Sequence, residues 1–487
     1  MKLLKDILYK VRIEQVVGST NTAVEHLAFD SRAVTAFTAF VATRGTQVDG
    51  HAFIDKAVAA GAVAIICESL PAELKQGVTY VRVADAAEAL GLMADNFHDQ
   101  PSRKLKLIGI TGTNGKTSTA TLLFRLFRAL GYKCGLISTV EIRIGQRTIP
   151  STHTTPDAVQ LNALLAEMVA EKVTHCFMEV SSHSVVQQRI AGLHFAGAVF
   201  TNITHDHLDY HGTFDAYIKA KKSFFDVLPA SAFALVNADD VHSAVMLQNT
   251  KATKRSFAVK GMADHRARIV ENQLTGLHLT IDGHDLYARL IGEFNASNLV
   301  AVYAVAVLLG EPPINVLTAL SDLEPPRGRF QIVRSSTGII GIVDYAHTPD
   351  ALKNVLSTIN EVCGEHEQVI TVVGCGGDRD RAKRPVMARI AVELSAQVVF
   401  TSDNPRSEDP MAILNEMRAG IASGDVPRTW VNPDRREAIR QAVGMARPGD
   451  VVLLAGKGHE TYQEIQGVKH PFDDVAVLKE TLELLHK

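Results

Sequence analysis

The feature that most constrains this chain is the stretch Lys104–Gly131, KLKLIGITGTNGKTSTATLLFRLFRALG. The apolar run Leu105 to Ile110 has the length and branched residues of a buried strand. A glycine-bearing turn follows, Thr111-Gly112-Thr113-Asn114-Gly115-Lys116-Thr117-Ser118, and then Leu122, Leu123, Leu126, Phe127 and Leu130 recur on one helical face. Strand, glycine turn and helix N-terminus together make an anion site, because unpaired backbone N–H groups and the positive end of the helix dipole converge on one spot. Gly112 and Gly115 let the backbone approach a phosphate, Lys116 supplies a point charge, and the Thr117 hydroxyl suits Mg²⁺. The strict phosphate-loop pattern wants a glycine five residues before Gly115, where this chain has Ile110. The correctly placed strand and helix outweigh that departure. The chain is expected to bind a nucleoside triphosphate.

At 487 residues there is room for about three domains. The formal net charge of -3 gives no electrostatic case for nucleic acid or an anionic membrane. The opening MKLLKDILYK has too short an apolar core for a signal peptide, and Asp6 interrupts it. No apolar run approaches the roughly 18–20 residues of a membrane span; the longest, Leu299 to Leu309, reads as a buried helix. Cys67, Cys134, Cys176, Cys363 and Cys375 stand far apart with no CxxC pair. That spacing argues against a zinc ribbon or disulfide framework and for a reducing cytoplasm. Four of them read as small core residues, and Cys375 is left open because of its polar neighbours.

The chain divides into an α/β fold of three units: residues 1–103, a central phosphate-loop unit at 104–332, and a third unit at 333–487. In the first, Phe29-Asp30-Ser31-Arg32 reads most simply as a turn with a surface ion pair, and Arg44 to His51 is a polar loop. Asn96 to Arg103 makes a polar linker into the phosphate-loop strand. The second unit alternates strand and helix as a parallel sheet with crossover helices should. Three polar clusters interrupt it: Ser151 to Asp157; Glu179 to His183 with Gln187 and Arg189; and Thr201 to Gly212. Ligands of open α/β sheets sit at strand carboxyl ends, where such clusters fall. Glu179 is therefore placed to hold a metal bridging the phosphates, with His207 as a second ligand. Lys219, Lys221 and Lys222 read by default as a solvated basic face. Asn295 and Asn298, three apart at the start of a helix, either cap it or offer amides to a ligand.

In the third unit, four strands end in polar sequence. They run into Asp344 to Asp350, Gly374 to Asp380, Ser402 to Arg406 and Gly456 to Glu460. Four such ends point to one ligand-binding edge. Gly374-Cys375-Gly376-Gly377 is not GxGxxG and is followed by charge, which argues against a dinucleotide site.

These clusters, in this order, resemble the Mur ligases over essentially the whole chain. The resemblance rests on TGTNGKTS, THTTPD, EVSSHSVVQQR, DHLDYHG followed by YIKAK, GEFNASN, DYAHTPDAL, GCGGDRDRAKRP, DNPR and GKGHE. Within the family it points to the branch that adds meso-2,6-diaminopimelate to UDP-N-acetylmuramoyl-L-alanyl-D-glutamate at the expense of ATP. The implied architecture is a UDP-substrate domain, a central ATPase with a mainly parallel sheet, and a C-terminal Rossmann-like domain for the amino acid. By resemblance, Phe29, Ser31 and the loop Thr46-Gln47-Val48 would face the uridine nucleotide. His153, Thr154, Thr155, Ser181, Gln187 and Arg189 would hold the muramoyl-dipeptide. Asn295, Asn298, Arg329 and Asp344 would approach the ATP. Arg379, Asp403, Asn404, Pro405, Arg406, Gly456 and Glu460 would take the diaminopimelate.

Lys221, the last lysine of Y-x-x-A-K, would be carbamylated and join Thr117, Glu179 and His207 around Mg²⁺, which reverses the surface reading of that residue. A cytoplasmic monomer is implied, with no nucleic acid and no membrane insertion. The chemistry would run through an acyl phosphate. Two departures stand out. Ala36 to Phe40 replaces the family's usual Gly-Asp-Leu-Phe turn, and His205 precedes Asp206 where other residues are usual, so His205 is not taken as a metal ligand. The rivals are a ligase of the same superfamily adding lysine or polyglutamate, and a phosphate-loop switch that uses ATP to change partner.

Overall fold

A computed structural model describes residues 1–45, 48–206, 208–364 and 366–487, with Asp209 described by its backbone alone. Thr46, Gln47 and His207, three of the expected site residues, lie outside the described residues.

The first sheet has five strands in the order Ile13–Val17, Thr79–Val83, Ala62–Cys67, Thr38–Val41 and His26–Ala28, antiparallel in the first pair and parallel thereafter. Helix Ala86–Phe97 begins where the Asp85 carboxylate accepts from the Glu88 amide, a side-chain cap. The expected linker is not a loose one. That helix runs into it, and Pro101–Lys104 forms a 3-10 turn with Pro101 and Ser102 buried. The Ser102 hydroxyl accepts from the His194 amide at 2.9 Å, which seats the connection on the central unit.

The central sheet has eleven strands, and the strand Lys106–Thr111 lies inside it between His175–Glu179 and Gly197–Phe200, both parallel to it. Such strands read as unbroken apolar runs because helices cover both faces. Helix Lys116–Ala129 and helix Glu293–Leu308 share one buried cluster against this sheet, and Leu299 to Ala306 are buried throughout. At both margins the sheet turns antiparallel. Glu141–Ile144 pairs with Arg147–Pro150 at one edge, and His265–Gln273, Gly276–Ile281 and His284–Ala288 form a meander at the other. The meander's last hairpin turns on Asp282-Gly283, both at positive φ (47° and 85°), the backbone that lets a two-residue turn match the twist of its strands. That Asp-Gly pair was the available signal for an antiparallel edge.

The third sheet runs in the order Gln331–Arg334, Ile340–Asp344, Val451–Ala455, Val369–Val373, Gln397–Phe400 and Thr429–Val431. All but the first are parallel, so their carboxyl ends share one edge. All five cysteines are free thiols, and Cys363 alone of them is only half-buried. Cys375 is buried 3.7 Å from the Met387 sulfur, and burial pushes its thiol up to about 12, so it behaves as a core residue. Among the described residues no helix is long and apolar enough to cross a membrane.

Candidate active site

The phosphate loop is clamped from the neighbouring strand end. Thr201 Oγ1 donates to the Asn114 carbonyl at 2.6 Å, Asn202 Nδ2 donates to the same oxygen at 3.1 Å, and Asn202 Oδ1 accepts from the Asn114 amide at 2.9 Å. Two glycines are required here by space. A Cβ on Gly112 would strike Thr201 Oγ1, and one on Gly115, where φ is 85°, would lie 2.7 Å from Asn298 Oδ1. Asn298 thus sits under the loop, with its Nδ2 donating to Asn295 Oδ1 and its Oδ1 accepting from Thr119 Oγ1. Asn295 in turn donates to the Ile291 carbonyl at 2.8 Å, so this pair supports the loop from the start of its helix.

Three cations meet at the loop. Lys116 Nζ donates to the carbonyls of Gly112 (2.8 Å) and Thr113 (2.7 Å), and Lys221 Nζ donates to the Gly112 carbonyl at 2.8 Å. Arg329 Nη2 donates to the Thr117 hydroxyl at 3.1 Å. Lys221 is 1% exposed, from the inner face of helix Phe214–Asp226, whereas Lys219 is exposed and Lys222 pairs with Asp226 at 2.7 Å. The surface reading holds for Lys219, fits Lys222 poorly since that side chain is 12% exposed, and fails for Lys221, which shares the face of Tyr217, Phe224 and Phe225. Burial, and then the charge of Lys116, hold the Lys221 amine well below the usual lysine range. Burial also lowers Lys116, against the opposing pull of Glu179 and Asp206.

Glu179 ends its strand fully buried. Its carboxylate accepts from the Thr139 amide (2.7 Å) and hydroxyl (3.1 Å), and the Thr154 hydroxyl lies 3.1 Å from that same Thr139 oxygen, which can accept from it. Thr155 Oγ1 donates to the Glu179 carbonyl and accepts from the Ser181 amide, while Arg189 Nη1 donates to the Thr155 carbonyl at 2.7 Å. Gln187 Oε1 receives Arg189 Nε and Nη2, and Gln187 Nε2 donates to Tyr210. The structure therefore gathers Thr154, Thr155, Ser181, Gln187 and Arg189 around the Glu179 strand end. His153 stands on the exposed loop beside them, its Nδ1 3.2 Å from Thr152 Oγ1.

At the third sheet's edge, Asp344 Oδ2 accepts from the Phe330 amide at 2.6 Å, and burial raises its carboxyl to about 6 despite nearby Arg329. Burial and Lys383 lower His347 to about 4, and it donates from Nδ1 to the Tyr345 carbonyl. Arg406 adopts φ 52° and donates from Nη1 to the Gly377 carbonyl at 2.7 Å. Two buried cations that the sequence reading passed over hold this edge. Arg384 binds the Gly376 carbonyl together with Glu408 and Glu416, and Lys457 sits among Asp403, Asn404 and Glu460. Arg384 stands in a charged run that reads as solvated, and its glutamate partners lie 24 and 32 residues further along the chain, beyond any local signal. Lys457 stood in plain view between two glycines.

A cavity of about 920 Å³ has Gly112 to Ser118, Glu179, Lys221 and Arg189 on one side and Asp344, Arg379, Arg406 and Glu460 on the other. A second, of about 530 Å³, is walled by Asp403, Asn404 and Gly456 and shares Arg379, Arg406, Glu460 and Asp206 with the first. His205, stacked on Phe214 at 4.9 Å, lines the smaller one. Pro405 lines neither, and its carbonyl packs against Gly377. Phe29, Ser31 and Val48 line neither cavity. Asp30 pairs with Arg32 at 2.6 Å on an exposed turn, Ser31 is buried within that turn, and Val48 is 57% exposed.

A phosphate loop that opens across one cavity onto a charged pocket built by a separate sheet is the layout of a nucleotide-driven ligase. A switch would need only the loop and a segment of its own domain. Comparison with known proteins narrows that class, and the chain belongs to the Mur ligase family. Residues 23–98 match the Mur ligase family catalytic domain, 110–306 the Mur ligase middle domain, and 328–458 the Mur ligase glutamate ligase domain. The UDP-N-acetylmuramoyl-L-alanyl-D-glutamate–2,6-diaminopimelate ligase of Cytophaga hutchinsonii is 56% identical over 485 residues, covering 99% of this chain and 100% of that protein. The ligase of the same name from Bacteroides fragilis is 52% identical over 99% of both chains. A solved structure of a ligase of that name superposes with a TM-score of 0.71 at 32% identity, covering 100% of this chain and 99% of the other.

Proposed function

We infer that the protein is an ATP-dependent ligase that joins meso-2,6-diaminopimelate to the D-glutamyl carboxylate of UDP-N-acetylmuramoyl-L-alanyl-D-glutamate, releasing ADP and phosphate in peptidoglycan precursor synthesis. The observation that carries this reading is the shared cavity, in which the phosphate loop and the Arg406–Glu460 edge face each other. The full-length identity to ligases of that name supports the choice of substrates. The division of labour follows the three sheets: residues 1–103 for the uridine end, 104–332 for ATP and the dipeptide, and 333–487 for the amino acid. The enzyme acts as a cytoplasmic monomer.

The loop amides and helix N-terminus take the ATP phosphates, and Lys116 offsets the charge that builds on the γ-phosphoryl group. Arg189 and the Thr154–Thr155 hydroxyls orient the dipeptide so that a glutamyl carboxylate oxygen attacks that phosphorus, the bond to ADP breaks, and an acyl phosphate forms. The third sheet then presents the amine of diaminopimelate to the acyl carbon. Phosphate leaves from the tetrahedral intermediate, and the amine's extra proton goes to solvent or phosphate. The acyl phosphate hydrolyses readily, so walls from both units must exclude water.

The oxygen donors Thr117 and Glu179, at the loop and lining one cavity, suit a hard cation such as Mg²⁺. In this reading they are joined by His207, which lies outside the described residues, and by one further oxygen donor. Lys221 supplies it in this reading. Burial and the charge of Lys116 favour the neutral Lys221 amine, the form that attacks CO₂, and loss of one proton leaves an N-carboxylate beside Lys116. When bound, the metal would neutralise phosphate oxygens.

The test is phosphate release against a panel of amino acids. Release should require the UDP-dipeptide and meso-diaminopimelate together, with L-lysine far less effective. ATP turnover independent of both would contradict the assignment.

A further inference from the structure

We propose that Lys457 is a positioning residue for the incoming amino acid, its buried ammonium setting the charge of the Asp403–Glu460 pair and fixing the Asn404 amide between them. This deepens the reading above and rests on it.

The local sequence turns the lysine inward. Gly456 (φ 111°) and Gly458 (φ 53°) flank it, and a Cβ on either would crowd Asp403 Oδ2 at 2.9 Å or the Gly328 carbonyl and Tyr345 at 2.6 Å. Between these two turns the Lys457 side chain has no solvent exposure. A lysine is almost never so placed unless paired. Its Nζ lies 2.9 Å from Glu460 Oε2, 3.1 Å from Asn404 Oδ1 and 3.7 Å from Asp403 Oδ1. All three partners are residues of the proposed amino-acid site. A further buried cation of this unit provides a contrast. Arg435 pairs with Asp474 on the terminal helix and touches the strand ends only through the carbonyls of Ser402 and Ala455.

The hydrogen bonds leave little freedom. Asn404 Oδ1 accepts from both Lys457 Nζ and the Glu464 amide at 2.9 Å, so its Nδ2 must face Glu460, to which it donates at 2.7 Å. Both bonds to Glu460 fall on Oε2, and Oε1 accepts none among the described residues. Glu460 lines both cavities and Asp403 the smaller. Two carboxylates and one ammonium leave one net negative charge, which a single substrate ammonium balances. Removing Lys457 would leave two carboxylates side by side. Burial and Asp403 already raise the Glu460 carboxyl, while Lys457 opposes that shift. Tyr345, Tyr462, Arg406, Arg435 and His459, the last held low by burial and nearby cations that include Lys457, are the other titratable or charged groups around it. Without Lys457, Glu460 would take up a proton at higher pH and stop accepting from the substrate.

The experiment compares full-length wild type, Lys457→Met and Lys457→Met/Glu460→Gln under saturating ATP and UDP-dipeptide. Losing a hydrogen bond to a charged group costs roughly tenfold to 100-fold. Lys457→Met should raise KM for meso-diaminopimelate by about that factor, with KM for ATP and the UDP-dipeptide within about twofold. The acid limb of its kcat/KM profile for diaminopimelate should move to higher pH. In the double variant, which removes the titrating carboxylate, that limb should disappear; if the single variant does not fold, this result alone decides. An unmoved acid limb and unchanged KM, an equal loss towards all three substrates, or a double variant that keeps the limb would overturn the proposal. If wild type rejects diaminopimelate, the functional reading fails instead. The same comparison is then made with whichever amino acid wild type accepts, since any α-ammonium meets the same charge pair.

Discussion

Replacing Arg406 with alanine removes a guanidinium that lines both cavities. The residue sits at φ 52°, a left-handed conformation that costs any residue with a Cβ roughly 1–2 kcal/mol. Alanine inherits that cost unchanged, so the loss can be assigned to the side chain. Nη1 is held by the Gly377 carbonyl at 2.7 Å and Nε lies 3.6 Å from a Glu464 oxygen, which orients the guanidinium plane. Nη2 is bonded to nothing among the described residues and is available to a second carboxylate, the group by which meso-diaminopimelate differs from lysine. Truncating one partner of a buried charged pair costs roughly 2–5 kcal/mol. Here the side chain is 22% exposed, so solvent screening puts the cost at the low end. About 2–3 kcal/mol corresponds to roughly 30- to 150-fold. Arg406→Ala should lower kcat/KM for diaminopimelate by that factor, and Arg406→Lys should restore little, because an ammonium lacks the planar fork. Binding of ATP and the UDP-dipeptide should hardly change. Steady-state kinetics with meso-diaminopimelate and L-lysine decide it: an unchanged preference between the two in Arg406→Ala would refute the reasoning.

Lys221→Ala should lose activity and regain part of it with added acetate or formate, which can enter the vacated space; full activity without the additive would remove the carbamate from the account. Because burial favours the neutral, CO₂-reactive form of the wild-type amine, CO₂-depleted buffer should lower activity reversibly, and mass spectrometry under mild conditions should find 44 Da added at Lys221 (the mass of CO₂, about 44). Asp474→Ala leaves the fully buried Arg435 unpaired and should destabilise the third unit by roughly 3–5 kcal/mol. Arg435→Met/Asp474→Leu should recover most of that in calorimetry, and a single variant as stable as wild type would show that the pair holds nothing.

How much could be read from the chain depended on whether the determinant was local. The phosphate loop, the buried helix at Leu299 and the strands of the third sheet are local patterns, and the structure builds each where the pattern lies. The eleven-stranded sheet's antiparallel margins lack the long apolar runs of its parallel centre, and Asp282-Gly283 is their local signal. Burial of charge is different. Lys221, Arg384 and Lys457 look like any surface cation until tertiary packing removes their water, and their partners lie up to 109 residues away. A cation between glycines, or inside an otherwise apolar helical face, is the trace such packing leaves in sequence. The polar stretch Asn96 to Arg103 does join the first unit to the phosphate-loop strand, and one proline and one serine are enough to anchor it against the next unit, which its polarity alone does not show.

The central claim is that ATP energy passes to the glutamyl carboxylate before the amide forms. It is tested most directly by placing ¹⁸O in that carboxylate and analysing the phosphate released during synthesis with meso-diaminopimelate. The account predicts one ¹⁸O transferred to each phosphate, and a product heavier than the UDP-dipeptide by one diaminopimelate less water. Phosphate without the label, alongside normal product, would contradict it.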